Sequence, residues 1–188
     1  MRVPPKSLLQ ARDATCGAAV RGVWPDCAGR DARVQSVRIR QYATFTLFSG
    51  SMTAGEITAR LMVEPDKIRT RGSRQAAPPV PAHHAWKIVC DHRSLTVEGQ
   101  VGQVIDRLRP HQDAIAELVR EPAADCTAQL NLVRYFGDDD GEEEERSSPD
   151  SRLQKIPGQH QLLGWHLDRG TIAFLAAVHA EIDVDEYG

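Results

Sequence analysis

The chain has 188 residues, with 26 acidic and 23 basic side chains for a formal net charge of −3, and is 41% hydrophobic and 5% aromatic. A globule of this size buries about 70% of its unfolded surface, so a core forms without metals or disulfides. No apolar run approaches the ~20 residues that cross a bilayer as a helix, which argues against an integral membrane protein, and the opening MRVPPKSLLQARDATCGAAV lacks the apolar stretch of a secretory signal.

The small net charge conceals an asymmetry. Residues 1–100 carry 15 basic and 8 acidic side chains, and residues 101–188 carry 8 basic and 18 acidic. Seven carboxylates fall within DDDGEEEE at 138–145. Like charges that dense repel and resist burial, so the segment reads as a solvated loop. The four cysteines, Cys16, Cys27, Cys90 and Cys126, form no C-x-x-C pair and read as reduced thiols of a cytoplasmic protein.

In chain order, residues 1–34 show no sustained periodicity and read as a disordered or loosely docked leader ahead of one domain at 35–188. In VRIRQYATFTLFS, from Val37, apolar and polar residues alternate as in a long strand with one wet face. Thr53-Ala54-Gly55-Glu56 is a capping box, followed by a helical stripe at Ile57, Leu61 and Met62 that Pro65 limits. The segment from Ile68 to His84, with three prolines and a glycine, reads as a loop, and Ala85–Cys90 as a second short strand. Thr96 caps a helical region with Val97, Val101, Val104, Ile105 and Leu108 on one face. Pro110 interrupts it, and Ile115, Leu118 and Val119 continue it to about Pro122. Cys126–Phe136 is a third strand with Ala128, Leu130, Leu132 and Arg134 on one face. An acidic loop follows at 137–161. Asp168 caps a helix carrying Ile172, Phe174, Leu175 and Val178, and Glu181–Tyr187 is a closing strand.

The order strand-helix-strand-helix-strand-helix-strand predicts an α+β fold. Its sheet is mainly antiparallel or mixed, of four to five strands, with helices packed on one face. The other face would carry Arg38, Arg40, Thr44, Thr46, Asp183 and Asp185.

The stretch from Thr53 through Glu-Ile-Thr-Ala-Arg-Leu-Met-Val-Glu-Pro-Asp to Arg71-Gly72, followed by the strand-borne Trp86 and the closing Ile182-Asp183-Val184-Asp185-Glu186-Tyr187, resembles the domain of unknown function 4279 family, over roughly residues 37–187. The resemblance implies an uncharacterised bacterial α+β domain. It carries over no activity, and implies at most an immunity or inhibitor-type role. Where that family often has Leu-Gly before its Pro turn, Leu61-Met62 stands here, so the first helix is expected to run further.

No chemical signature points to catalysis. G-x-S-x-G, Walker-type and G-x-G-x-x-G patterns are missing, and His83, His84, Cys90, Asp91 and His92 match no zinc spacing. No metal or cofactor is expected. Asp183 and Asp185 read as the solvated face of a strand rather than an acid–base pair. The basic run Arg60, Lys67, Arg69, Arg71, Arg74 lacks the interleaved aromatics of a nucleic-acid surface and reads as a solvated loop or a partner for the acidic segment. Arg71, Trp86, Asp183 and Tyr187 are the candidate binding residues, Trp86 being more often a core residue than an anchor. The preferred reading is a non-enzymatic module that binds a protein partner through its sheet face or Arg-rich loop. The alternative is a small-molecule-binding domain or enzyme with a pocket near Arg71, Trp86 and Asp183.

Overall fold

The computed structural model describes residues 38–143 and 164–188. The 1–34 leader and most of the expected acidic loop lie outside the described residues.

Strand β1 (Arg38–Ser49) is the centre of the sheet. Its alternating Ile39, Ala43, Phe45 and Leu47 fill one face, and its Thr and aromatic content suits the pleat. It pairs antiparallel with β3 (His84–Cys90) on one side and β4 (Cys126–Phe136) on the other, Phe45 lying between Ile88 and Leu130. β6 (Glu181–Tyr187) adds parallel to β4 after a helical crossover, which makes the sheet mixed, and with β2 (Lys67–Arg69) at the other margin the order is β2-β3-β1-β4-β6.

Two short strands fall where loops were expected. β2 (Lys67–Arg69) pairs with Lys87–Ala85 of β3, and β5 (Glu142–Glu143) pairs with Arg38–Ile39, continuing the row of β3. Three exposed residues and two residues are too short to show a period, so neither was legible in the pattern.

Helices α1 (Ala54–Leu61), α2 (Val97–Leu108), α3 (Gln112–Arg120) and α4 (Arg169–Ala177) pack on the face of Phe45. Ile57 and Leu61, Val101 to Leu108, Ile115 and Leu118, and Phe174 and Leu175 meet Phe45, Leu47, Trp86, Ile88, Leu130 and Leu132 in a single core. Phe174 sets its edge against Phe45 at 6.1 Å between centroids. A 3₁₀ turn at Arg109–His111, holding Pro110, separates α2 from α3.

Thr53 forms the full capping box with Glu56, and Thr96 and Asp168 cap α2 and α4 through the backbone N–H groups of Gly99 and Thr171. Helix α1 does not run on past Leu61. Met62 takes the left-handed position itself, at φ 55°, and its N–H closes on the Thr58 carbonyl at 2.8 Å. The stop therefore needs no glycine, only a residue willing to carry the strain.

Candidate functional site

The strand registers bring one set of side chains to the face on which no helix packs among the described residues, called the helix-free face below. Lys67 and Arg69 of β2 lie beside Lys87 of β3, and Thr44 and Thr46 of β1 beside Gln129 and Asn131 of β4. Glu181, Asp183 and Asp185 of β6 close the row. The face is thus basic at one margin, neutral and polar in the middle, and acidic at the other. Asn131 knits the middle to the acidic margin: its Nδ2 donates to Asp183 Oδ2 at 3.3 Å, and its Oδ1 accepts from Thr46 Oγ1 at 3.4 Å. Thr44 and Thr46 are on the expected face but are buried in it rather than exposed.

Near the start of β1 a ladder crosses three strands. The Arg40 guanidinium stands 4.4 Å from the centroid of the Tyr135 ring, and Tyr135 stacks on Tyr187 at 4.9 Å and 14°. Tyr187 is half exposed. The Asp185 carboxylate pushes its phenol pKa up, with help from burial. Arg40 also binds Asp138 at 2.7 Å. The Asp138 carboxyl is held below its ordinary range by the Asp140 backbone N–H and then by Arg40. The turn that bears these acids lies close on β1, where a Cβ on Gly141 would come within 2.8 Å of the Ile39 backbone.

Between β1, β2 and β3 the same face holds a cleft of about 370 Å³, lined among others by Arg40, Tyr42, Thr44, Lys67, Lys87 and Arg93. Lys67 and Lys87 are directly opposite in the β2–β3 register. Burial depresses the Lys87 pKa, and Arg69 and Lys67 depress it further. Burial next to Tyr135 raises that of Tyr42. Arg93 donates to the Asp140 carbonyl at 3.0 Å. The arrangement offers positive charge, hydroxyls and aromatic faces, which are means of binding.

The four residues singled out from sequence do not share a pocket. Trp86 is fully buried on the helix side, its Nε1 donating to Thr58 Oγ1 at 3.0 Å. Arg71 holds the loop after β2 against the end of β1, donating from Nη1 to the Gly50 carbonyl at 2.8 Å and from its backbone to His84 Nδ1 at 3.2 Å. Asp183 and Tyr187 are on the opposite face of the sheet from Trp86, three strand spacings or ~14 Å across from β3. The expected neighbours of the acidic segment also change. Arg60 pairs with Glu121, whereas Arg38, Arg40 and Arg93 meet Asp139, Asp138 and Asp140. His84 serves Arg71 and His92 faces Ser94. Among the described residues, no three His, Cys, Asp or Glu side chains converge on a point.

Sequence reasoning placed Arg40 on this face but missed Tyr42, Tyr135 and Lys87 as members of the same surface. The alternation within β1 and β4 held half of the signal, since it sorts Tyr42 and Tyr135 away from the core. The other half is the register, which is a matter of tertiary pairing.

The family model for a domain of unknown function, DUF4279, matches residues 39–188. No curated protein and no solved structure matches the chain. The matched span takes in the sheet, the helices and both margins of the helix-free face, and the chain belongs to the DUF4279 family.

Proposed function

We propose that this domain is a non-enzymatic protein-binding module that engages its partner on the helix-free face of the sheet. The observation that carries the reading is the Arg40–Tyr135–Tyr187 ladder. Tyr and Arg are, with Trp, enriched at binding hot spots, Tyr because it presents large rigid area at small entropic cost and Arg because its planar guanidinium stacks and hydrogen-bonds at once. Here they stand stacked and partly in water, with basic and acidic margins on either side to orient a partner of complementary charge. A cytoplasmic setting goes with this reading, since Cys90 and Cys126 are unpaired buried thiols. An immunity or inhibitor-type role is its most specific form.

Affinity capture from the native host with the wild-type chain and Tyr187→Ala tests it. A partner retained by the first and lost by the second, with the circular dichroism melt unchanged, supports the reading. Identical recoveries from both overturn it. If the retained partner is an enzyme or toxin, the inhibitor form requires that its activity fall on mixing.

A further inference from the structure

We propose that the cleft between β1, β2 and β3 binds a phosphate group, either free or as a monoester on a small molecule, held between Lys67 and Lys87. The cleft shares its face and Arg40 with the proposed protein-binding surface, but the phosphate proposal does not depend on that reading.

The first support is an uncompensated charge. Like charges directly opposite on paired strands are destabilising. Lys67 and Lys87 are opposed in this way, with Arg69 two residues further along on the same face. Five arginines have an ion-pair partner, Arg40 with Asp138, Arg60 with Glu121, Arg107 with Asp66, Arg109 with Asp106 and Arg134 with Glu186; among the described cations that have none, Lys67 and Lys87 are the two set directly opposite on neighbouring strands. Neither Lys67 nor Lys87 makes an ion pair among the described residues. The nearest acid in sequence, Asp66, is engaged by Arg107 at 2.7 Å and by the Val89 N–H at 2.7 Å. Asp91 also lines the cleft, but four residues beyond Lys87, about 13 Å along the strand direction.

The second support is shape and donor chemistry. The cleft is about 370 Å³, of the size that takes a small ligand. Its lining adds Thr44, whose register partner Val89 is two residues from Lys87, and Tyr42 further along β1. Lysines act as point charges with rotatable donors, suited to a tetrahedral oxyanion. A doubly charged anion between them replaces a repulsion with two attractions, which a monoanion such as acetate does less well. Burial is the main cause of the depressed Lys87 pKa, and the neighbouring Arg69 and Lys67 add to it.

Calorimetric titration of the full chain with inorganic phosphate, glycerol phosphate and acetate tests the site, alongside Lys67→Met, Lys87→Met and, as a remote control, Arg120→Met. Saturable binding of either phosphate is expected, weakened roughly tenfold or more in each lysine variant and unchanged in Arg120→Met. Acetate is expected to bind at least about tenfold more weakly. Tighter binding of glycerol phosphate than of phosphate assigns the site to a monoester, and the reverse to the free ion. Lys87→Met keeps the length of the side chain and relieves repulsion, so its melting temperature should not fall. No saturable binding at about 10 mM, or equal binding by wild type and both lysine variants, overturns the proposal.

Discussion

Arg134 of β4 donates to Glu186 of β6 at 2.8 Å from directly paired positions in the parallel ladder. The guanidinium is on the core side of the sheet, buried, with its Nε directed at Gln41 Oε1 at 3.4 Å and its plane 4.9 Å from the centre of the Phe136 ring. Glu186 is half exposed, so the pair spans the boundary between core and water. Removing the acid takes one ionic partner from a buried cation, which costs more than the pair itself is worth. Glu186→Ala should lower stability by about 1–2 kcal/mol in urea unfolding, and Glu186→Gln by less, because it keeps the hydrogen bond. Equal stability of all three chains would show that Glu186 contributes nothing.

Met62 is the next position where a change should be felt. It is 82% exposed, so it buries almost nothing, and it holds a left-handed backbone. That conformation costs a side-chain-bearing residue roughly 1–2 kcal/mol, part of which glycine returns as entropy of the unfolded chain. Met62→Gly is expected to stabilise the domain by about 0.5–1 kcal/mol, read as a shift in the urea midpoint at constant slope. A loss of stability would mean that α1 ends for another reason.

Acid should act through the helix caps. The Thr171 backbone N–H bonds Asp168 at 2.6 Å and the Thr53 N–H bonds Glu56 at 2.7 Å, and in each case that bond is the largest influence lowering the carboxyl pKa. Folded values below the unfolded ones mean that the two carboxylates contribute stability above about pH 4, and that it is lost as the pH falls through the depressed values. Wild type should therefore lose stability over that acid window, and the double variant Asp168→Asn, Glu56→Gln should lose less. Denaturant midpoints between about pH 5 and about pH 2 make the comparison, and parallel curves would refute it.

The Cys126 thiol offers a chemical check on the core. Burial, reinforced by the Asp125 carboxylate, pushes its pKa up to about 11. The thiolate is the reactive form, so alkylation by iodoacetamide at about pH 8 should be about a hundredfold slower in the native protein than in urea. Mass-spectrometric peptide mapping isolates this cysteine from the others. Rapid native modification would place it at the surface.

Much of this fold could be read from local chemistry. The Thr53 capping box, the Thr96 and Asp168 caps and the break at Pro110 are encoded within a few residues, and each is where the spacing put it. β1 and β4 declared themselves by alternation over their whole length. What escaped was set by pairing across the sheet. β2 is a strand only because Ile68 finds Trp86, and Met62 ends a helix without the residue that usually announces an end. The binding residues suffered most. Trp86 and Asp183 looked like parts of one pocket until the register put them on opposite faces, while Tyr135 became a neighbour of Tyr187 only through the parallel β4–β6 pair.

That parallel pair has a further consequence. β6 ends the strand order, and among the described residues its outer backbone edge is unmatched along seven residues. Exposed edges of that length, with Ile182 and Val184 in water, invite another chain to add on as a strand and seed aggregation. Glu181, Asp183, Asp185 and Glu186 set a carboxylate at more than half of its positions. Two copies brought edge to edge would have to stack those charges against one another, so the acidic rear of the chain also works as a guard on its colloidal stability, strongest where the carboxylates are ionised.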